Sequence, residues 1–348
     1  MLSINKIRPI RKMDSLFITA SSYEERCLKV PELIDGTLSE DSIIFLYNDV
    51  ADDPIGNANH NYIYKILKKR SINEPNVLSC DFTDPYSLVV EFCKWAEGRR
   101  LEEWDISIDI SCFTKLHLLL LLKHIGSEDK RGVIRVFYTQ PMVYLPMIPG
   151  KRRLSYDIGE RCFIPYLSSS VRDGREALII FLGMEGLRAN RVWEETDPEK
   201  TILIMGRPGF TEEMEKISER ENKFLLSRVL YDPSFSQRDC STLNPWEVVY
   251  ALKEAAEGVD TLYIAPCGTQ LQTLGIYFFS QIVKGKRIII AYFPPKKYAR
   301  PYSEGIRNTF SIYWQGSSSS FKWPSFNLGV KEEIKRDELY EEVLFNRY

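Results

Sequence analysis

Two short polar stretches, one in each half of the chain, have the composition of an anion-binding turn. They contain Ser21, Ser22, Glu24 and Arg26 in the first stretch, and Glu185 and Arg188 in the second. Each stretch follows a short apolar run and precedes a helical pattern, so its backbone N–H groups would face a ligand from a helix N-terminus. An arginine there could make a bidentate contact with phosphate. The alternative is structural, with Ser22 as a helix cap and the glutamates complementing the helix dipole.

A second pair of polar turns places a threonine before a long polar side chain. The residues are Thr114 and Lys115 in the first turn, and Thr269 and Gln270 in the second. Their hydroxyl, amide and ammonium groups could hold phosphate, ribose or a base edge, although the threonines could equally be helix caps. Cys112 and Cys267 precede these threonines at matched positions. A helix N-terminus lowers a thiol pKa, but no histidine follows in register to act as a base.

Three more candidates lie where strand patterns end. Tyr144 and Tyr298 close matched aromatic-proline turns, and could stack on a base or pack at a sheet edge. Arg207 precedes a Pro-Gly turn and would place a cation beside the same opening. Asn48 and Asp49 occupy the matching place nearer the N-terminus, where acidic groups could hold ribose hydroxyls or Mg²⁺ or could belong to a solvated loop.

Composition excludes several classes of protein. The net charge of −2 provides no general basic field, so bulk nucleic-acid binding is not expected. The longest apolar run, 116–122, is far too short to span a bilayer, and the first residues have no apolar signal core, so we expect a cytoplasmic protein. The cysteines and histidines lack metal-ligand spacing, and neither GxGxxG nor GxxxxGK[ST] occurs. We therefore expect no metal and no cofactor.

The elements that would position these residues occur twice. Residues 84–98 and 244–258 both begin with an Asx residue and a proline, carry apolar side chains at helical spacing, and end in Ala-Glu-Gly. An Asx N-cap, a proline in the first turn and a glycine C-cap together indicate a helix. Each is followed by an apolar strand, a polar turn and an apolar helix. Matched elements in the same order indicate an internal duplication rather than two unrelated α/β domains.

The alternating pattern predicts an α/β protein with two tandem Rossmann-like units, each a mostly parallel five-stranded sheet with helices on both faces. The first unit covers 1–150, a linker 151–176, the second unit 177–315, and a tail with a terminal helix 316–348. In the second unit, the third strand is predicted at 228–231. Ligands of open parallel sheets bind beyond the carboxyl ends of the strands, so the polar turns of both units should share one cleft.

The sequence resembles the CARF and SAVED group of Rossmann-like ligand sensors. The turns Phe113-Thr114-Lys115 and Gly268-Thr269-Gln270 are similar to the Gly-Thr-Lys turn of that group, and the doubled architecture over 15–300 is similar to that of SAVED proteins, which fuse two CARF-like units. The resemblance implies a sensor that binds cyclic oligonucleotides in a bacterial antiviral system. The sequence departs from the group in three ways: the first turn has no glycine, Gln270 replaces the expected lysine, and no effector nuclease or protease domain is evident.

The matched turns therefore favour a protein that binds or senses a nucleotide or cyclic oligonucleotide, because a pseudo-two-fold cleft suits a symmetric ligand. Two alternatives stay open. The first is an enzyme acting on a nucleotide or phosphosugar, with Glu24, Asp109 or Glu185 as acid or base. The second is a non-catalytic subunit that docks a protein partner through the terminal helix at 331–345.

Overall fold

A computed structural model of the chain describes residues 4–126, 130–148, 154–168 and 174–315. The strands are β1 (Asp14–Ala20), β2 (Ser39–Tyr47), β3 (Asn76–Cys80), β4 (Ile106–Asp109), β5 (Val133–Tyr144), β6 (Ser155–Ile158), β7 (Cys162–Leu167), β8 (Glu176–Phe181), β9 (Thr201–Gly206), β10 (Phe235–Cys240), β11 (Thr261–Ala265), β12 (Arg287–Tyr292), β13 (Pro295–Tyr298) and β14 (Ser303–Gln315). The helices are α1 (Arg26–Leu33), α2 (Asn48–Ala51), α3 (Pro54–Arg70), α4 (Ser87–Ala96), α5 (Lys115–Ile125), α6 (Gly186–Thr196), α7 (Glu212–Glu221), α8 (Lys223–Arg228), α9 (Pro245–Ala255) and α10 (Gln270–Ile282).

Two large sheets share one strand order. The first sheet runs β3-β2-β1-β4-β5-β14 and the second runs β10-β9-β8-β11-β12-β7. In each sheet the first five of these strands are parallel, and the sixth is antiparallel to its neighbour. The prediction of mostly parallel sheets is confirmed. Each sheet nevertheless has six strands rather than the predicted five, because an antiparallel strand covers the edge that β5 or β12 would otherwise expose.

The sixth strand of each sheet comes from the segment that follows the other sheet. β7 follows β5 in the chain but pairs with β12, and β14 follows β12 but pairs with β5. The short strands that lead into them, β6 and β13, pair with each other. The predicted linker at 151–176 therefore contains two strands, and the last strand of 177–315 lies on the first sheet. The predicted tail at 316–348 lies outside the described residues.

The core is continuous between the two units, whose parallel strands are β1–β5 and β8–β12. Helices α5 and α10 pack against each other, and the ten consecutive residues Leu271–Ser280 of α10 are all buried. One cluster of buried apolar side chains includes residues from α5, α10 and strands of both sheets. On β14, the Trp314 ring lies edge-on to Phe278 of α10, with 4.9 Å between the centroids. The exchange of strands therefore adds packing between the units.

The third strand of the second unit was predicted in the wrong place. The strand predicted at 228–231 is absent; residues Lys223–Arg228 form a helix, and the third strand of the second unit is Phe235–Cys240. That strand lies at a sheet edge, and four of its six side chains are only partly buried or exposed, so its sequence lacks the apolar run typical of an inner strand.

Within the part of the chain that the structure describes, none of the helices combines the length and apolar character needed to cross a bilayer.

Candidate functional site

The starts of α5 and α10 lie side by side and are tied together. Thr114 caps α5 by accepting a hydrogen bond from the His117 N–H, and Thr269 caps α10 in the same way from the Gln272 N–H. The Gln270 side-chain amide donates to the carbonyl oxygen of Phe113, so the two turns contact each other directly. The positive ends of two helix dipoles therefore point toward the same region.

A cavity of about 1000 Å³, measured with the solvent at its mouth, opens at this junction. Nine residues predicted from the sequence line it: Arg26, Thr114, Lys115, Tyr144, Glu185, Arg188, Thr269, Gln270 and Tyr298. They come from both units, so the expected convergence of the polar turns on one shared cleft is observed. Whether these residues bind a ligand stays a prediction.

Lys115 is the cation of this cavity that has no partner among the described residues. It is partly buried, and no described residue forms a hydrogen bond or an ion pair with it. Burial and the positive charges of Arg188 and Arg26 lower its pKa to about 8, against the opposing influence of Cys267 and Glu185. At neutral pH its ammonium group is charged and lacks a counter-ion in direct contact, which is the situation that an anionic ligand would relieve.

Arg26 is buried beside a carboxylate and an aromatic ring. Its Nη2 donates to the Tyr302 hydroxyl at 2.7 Å, and its Nε lies 3.8 Å from Glu24 Oε2. Its Nε and Nη1 atoms are inaccessible and have no hydrogen-bond partner. Glu24 accepts hydrogen bonds from the Tyr302 N–H and the Ser303 hydroxyl, and burial raises the pKa of its carboxyl. Arg26 is therefore incompletely satisfied.

Arg188 occupies the counterpart place in the second unit, but its hydrogen bonds are more complete. It donates to the Tyr292 hydroxyl, to the Ser155 hydroxyl at 3.0 Å and to Glu185 Oε2 at 2.6 Å. Ser155 in turn donates to the other oxygen of Glu185. This close ion pair neutralises Arg188, so the two arginines differ in the charge that they offer to a ligand.

Four predicted residues lie away from this cavity wall. Ser21 is fully buried and hydrogen-bonded to His60 Nδ1 at 2.9 Å, and Ser22 accepts from the Glu24 N–H and lines a smaller cavity next to the first. Glu24 is buried behind Arg26. Arg207 forms ion pairs at 3.0 Å with Glu219 and at 3.8 Å with a second carboxylate. Ser22 is therefore not the predicted helix cap, because α1 begins after Glu25 without a side-chain cap and the Ser22 hydroxyl stabilises the turn before it.

The acidic residues Asp49 and Asp53 of the first unit form ion pairs within the protein. Arg300 lies 3.1 Å from Asp49 and 3.5 Å from Asp53, and its guanidinium covers the Tyr23 ring. The carboxylates that could have held ribose or Mg²⁺ are therefore paired with an arginine.

Asp109 and Glu24, two of the three carboxylates considered as an acid or base, are buried and do not line the cavity. Asp109 accepts from the Ser111 hydroxyl at 2.5 Å and from the Ser111 N–H, and burial raises its pKa to about 7. Neither Asp109 nor Glu24 lines the cavity, whereas Glu185 does. The matched cysteines are protonated thiols at neutral pH, because burial raises the pKa of Cys112 to about 12 and of Cys267 to about 11. Desolvation outweighs the helix N-terminus at both positions.

Sequence reasoning missed the apolar part of the wall. Leu182, Met184, Phe210 and Met214 line the second-unit side, and Tyr302 lines the first-unit side. Their sequence signal is weak, because an apolar residue after a strand is indistinguishable from a core residue until the loops are placed. Tyr302 could not be anticipated, since it precedes the strand that crosses to the first sheet.

No protein family matches the sequence, and no curated protein matches it. Among solved structures, the chain is similar to the cytoplasmic domain of a prokaryotic cation chloride cotransporter. The identity is 8%, the likeness covers 80% of this chain and 95% of the other, and the TM-score is 0.27. A likeness of this degree carries no argument about fold or function.

Proposed function

We propose that the chain is a sensor module that binds a nucleotide-type anionic ligand in the cavity between two Rossmann-like units. The supporting observation is the convergence on one cavity of two helix N-termini and Lys115, which is not paired with any residue that the structure describes. Helix N-termini favour anions through their free N–H groups and their dipole. The cavity is also lined by both apolar and polar side chains, as small-molecule sites are.

The strand order supports the Rossmann-like part of the proposal. In each sheet the strand order reverses between β1 and β4 or between β8 and β11. Ligands of such sheets bind beyond the carboxyl ends of the strands at this reversal. Thr114 and Lys115 follow β4, and Thr269 and Gln270 follow β11, so both turns occupy this position. Cyclic oligonucleotides of a bacterial antiviral system are the ligands that the sequence resemblance proposes.

Isothermal calorimetry with the full chain tests this function. The titrants are adenosine 5′-monophosphate, cyclic di-AMP and a cyclic tri-adenylate. We expect at least one of them to bind, and we expect Lys115→Gln to weaken that binding by roughly ten- to a hundredfold, because a hydrogen bond to a charged group contributes about 1.5–3 kcal/mol.

The matched control is Lys216→Gln. Lys216 is an exposed lysine on α7 that pairs with Glu212 at 2.8 Å and does not line the cavity. It should leave the affinity unchanged. Absence of heat with every titrant, or equal weakening by both variants, would overturn the proposed function.

A further inference from the structure

The openings at the carboxyl ends of the two sheets are filled differently. In the first unit, the Tyr47 hydroxyl lies 3.3 Å from the Thr114 nitrogen and 3.2 Å from His117 Nδ1, so a buried tyrosine occupies the space beneath α5. Arg300 closes the same side through its pair with Asp49. The space that remains there is about 370 Å³ with its mouth. Side chains therefore fill much of the first unit's opening, and one of them, Arg300, comes from the segment that follows β13.

The second unit leaves its opening free. The wall there consists of backbone at Gly183, Gly206 and Gly268, which end or follow β8, β9 and β11. Leu182, Met184, Phe210 and Met214 add apolar side chains, next to the polar Ser218 and Thr242 and the carboxylate of Glu215. Thioether and glycine surfaces offer no charge and few hydrogen bonds, so they suit the flat apolar face of a ring.

Positive charge lies on the opposite side. Lys115 has no hydrogen bond or ion pair with any described residue, and Arg26, which is ion-paired with Glu24 at 3.8 Å, has two buried nitrogens without hydrogen bonds. Both belong to the first unit. In the second unit, Gln270 stands where Lys115 stands in the first, and Arg188 is paired with Glu185. The two sides of the cavity therefore match in their helix starts but differ in charge and polarity. Lys115 lies on the first-unit side, and the side chains of Leu182, Met184, Phe210 and Met214 lie on the second-unit side.

We propose, building on the function above, that the ligand binds in a single orientation. Its one anionic group lies against Lys115 and Arg26, and its apolar or aromatic body lies in the opening of the second unit. The chemical class that fits is a nucleoside monophosphate or a similar molecule with one charged end and one ring. A two-fold symmetric ligand would place its second phosphate beside Gln270 and the neutralised Arg188.

Exchanging the two counterpart residues tests the orientation. The double variant Lys115→Gln/Gln270→Lys keeps the composition and net charge of the cavity and moves its free cation across the pseudo-two-fold axis. If the ligand can bind in either of two symmetric orientations, the exchange should leave the affinity for adenosine 5′-monophosphate unchanged. If the ligand binds in one orientation, the cation lies beside the ring, and we expect the affinity for adenosine 5′-monophosphate to fall at least tenfold.

The single variant Gln270→Lys serves only as the control for folding at that position, and Lys216→Gln, which lies outside the cavity, is the variant that should keep the affinity. Thermal midpoints of all variants are compared by circular dichroism. A loss smaller than tenfold in the double variant, or binding of cyclic di-AMP but not of the monophosphate, overturns the orientation while the proposed function stands. If wild-type protein binds none of the nucleotide titrants, the proposed function fails, and the orientation fails with it.

Discussion

At the level of single residues, Lys115 makes the site sensitive to pH. Its pKa of about 8 lies well below the ordinary value because burial and two neighbouring arginines disfavour the ammonium form. An anionic ligand binds the protonated form, so affinity should be greatest below pH 8 and should fall as pH rises through that value. Between pH 7 and pH 9 the charged fraction of the free protein falls by about tenfold, and the dissociation constant should rise by about the same factor.

Calorimetric titrations at pH 7, 8 and 9 measure this dependence. Arg26 and Arg188 stay charged across the range, because the pKa of an arginine lies far above it and burial does not lower the pKa of either one below its ordinary value. The Lys115→Gln variant should therefore bind weakly but with a flat pH profile. A wild-type profile as flat as that of the variant would show that Lys115 does not contact the ligand.

Sequence reasoning found the polar part of the site because its residues repeat. Thr114 and Lys115 match Thr269 and Gln270 in type and in position after a strand, and the structure brings all of them to one cavity. Reasoning from local pattern could not foresee that Arg207 would pair with Glu219, or that Ser21 would be fully buried. Those outcomes depend on side chains that are distant in the sequence.

At the level of elements, the inner strands were predictable and most of the outer ones were not. β1, β4, β8, β11 and β12 are short apolar runs buried on both faces, and such runs are characteristic of parallel sheets. β7 contains Pro165 and β10 is largely polar, as edge strands tolerate. Which sheet β7 or β14 would join depends on how the units pack, and no local pattern encodes that choice.

The closing strand β14 should contribute strongly to stability. Trp314 is 2% exposed and packs on Tyr277 and Phe278 of α10, so Trp314→Ala would leave a large hole between the first sheet and a helix of the second unit. We expect the free energy of unfolding to fall by about 3–5 kcal/mol, as for other buried aromatic truncations. Urea denaturation followed by circular dichroism measures the change.

Tyr313→Ala is the matched control, because that neighbouring aromatic side chain on β14 is 42% exposed. Tyr313→Ala should lower the free energy of unfolding much less than Trp314→Ala does. Equal losses for the two variants would mean that Trp314 does not join the units through its packing.

At the level of the whole molecule, the duplication should not produce two independent folding domains. A single apolar cluster contains residues of both units, and each sheet ends in a strand from the segment that follows the other. Heat should therefore unfold the chain in one transition, with the calorimetric and van't Hoff enthalpies equal within error. Differential scanning calorimetry decides this, and two resolved transitions would contradict it.

The reciprocal placement of β7 and β14 also determines what happens when the polypeptide is divided. A cut between β7 and β8 would produce one piece that contains β7 but lacks its partner β12, and a second piece that contains β14 but lacks its partner β5. Each piece alone would have an unpaired strand at the edge of its sheet, and each contains the antiparallel strand that completes the sheet of the other piece. The two pieces should therefore associate when mixed, because β7 can pair with β12 and β14 can pair with β5 across the non-covalent complex. Both six-stranded sheets would then form again.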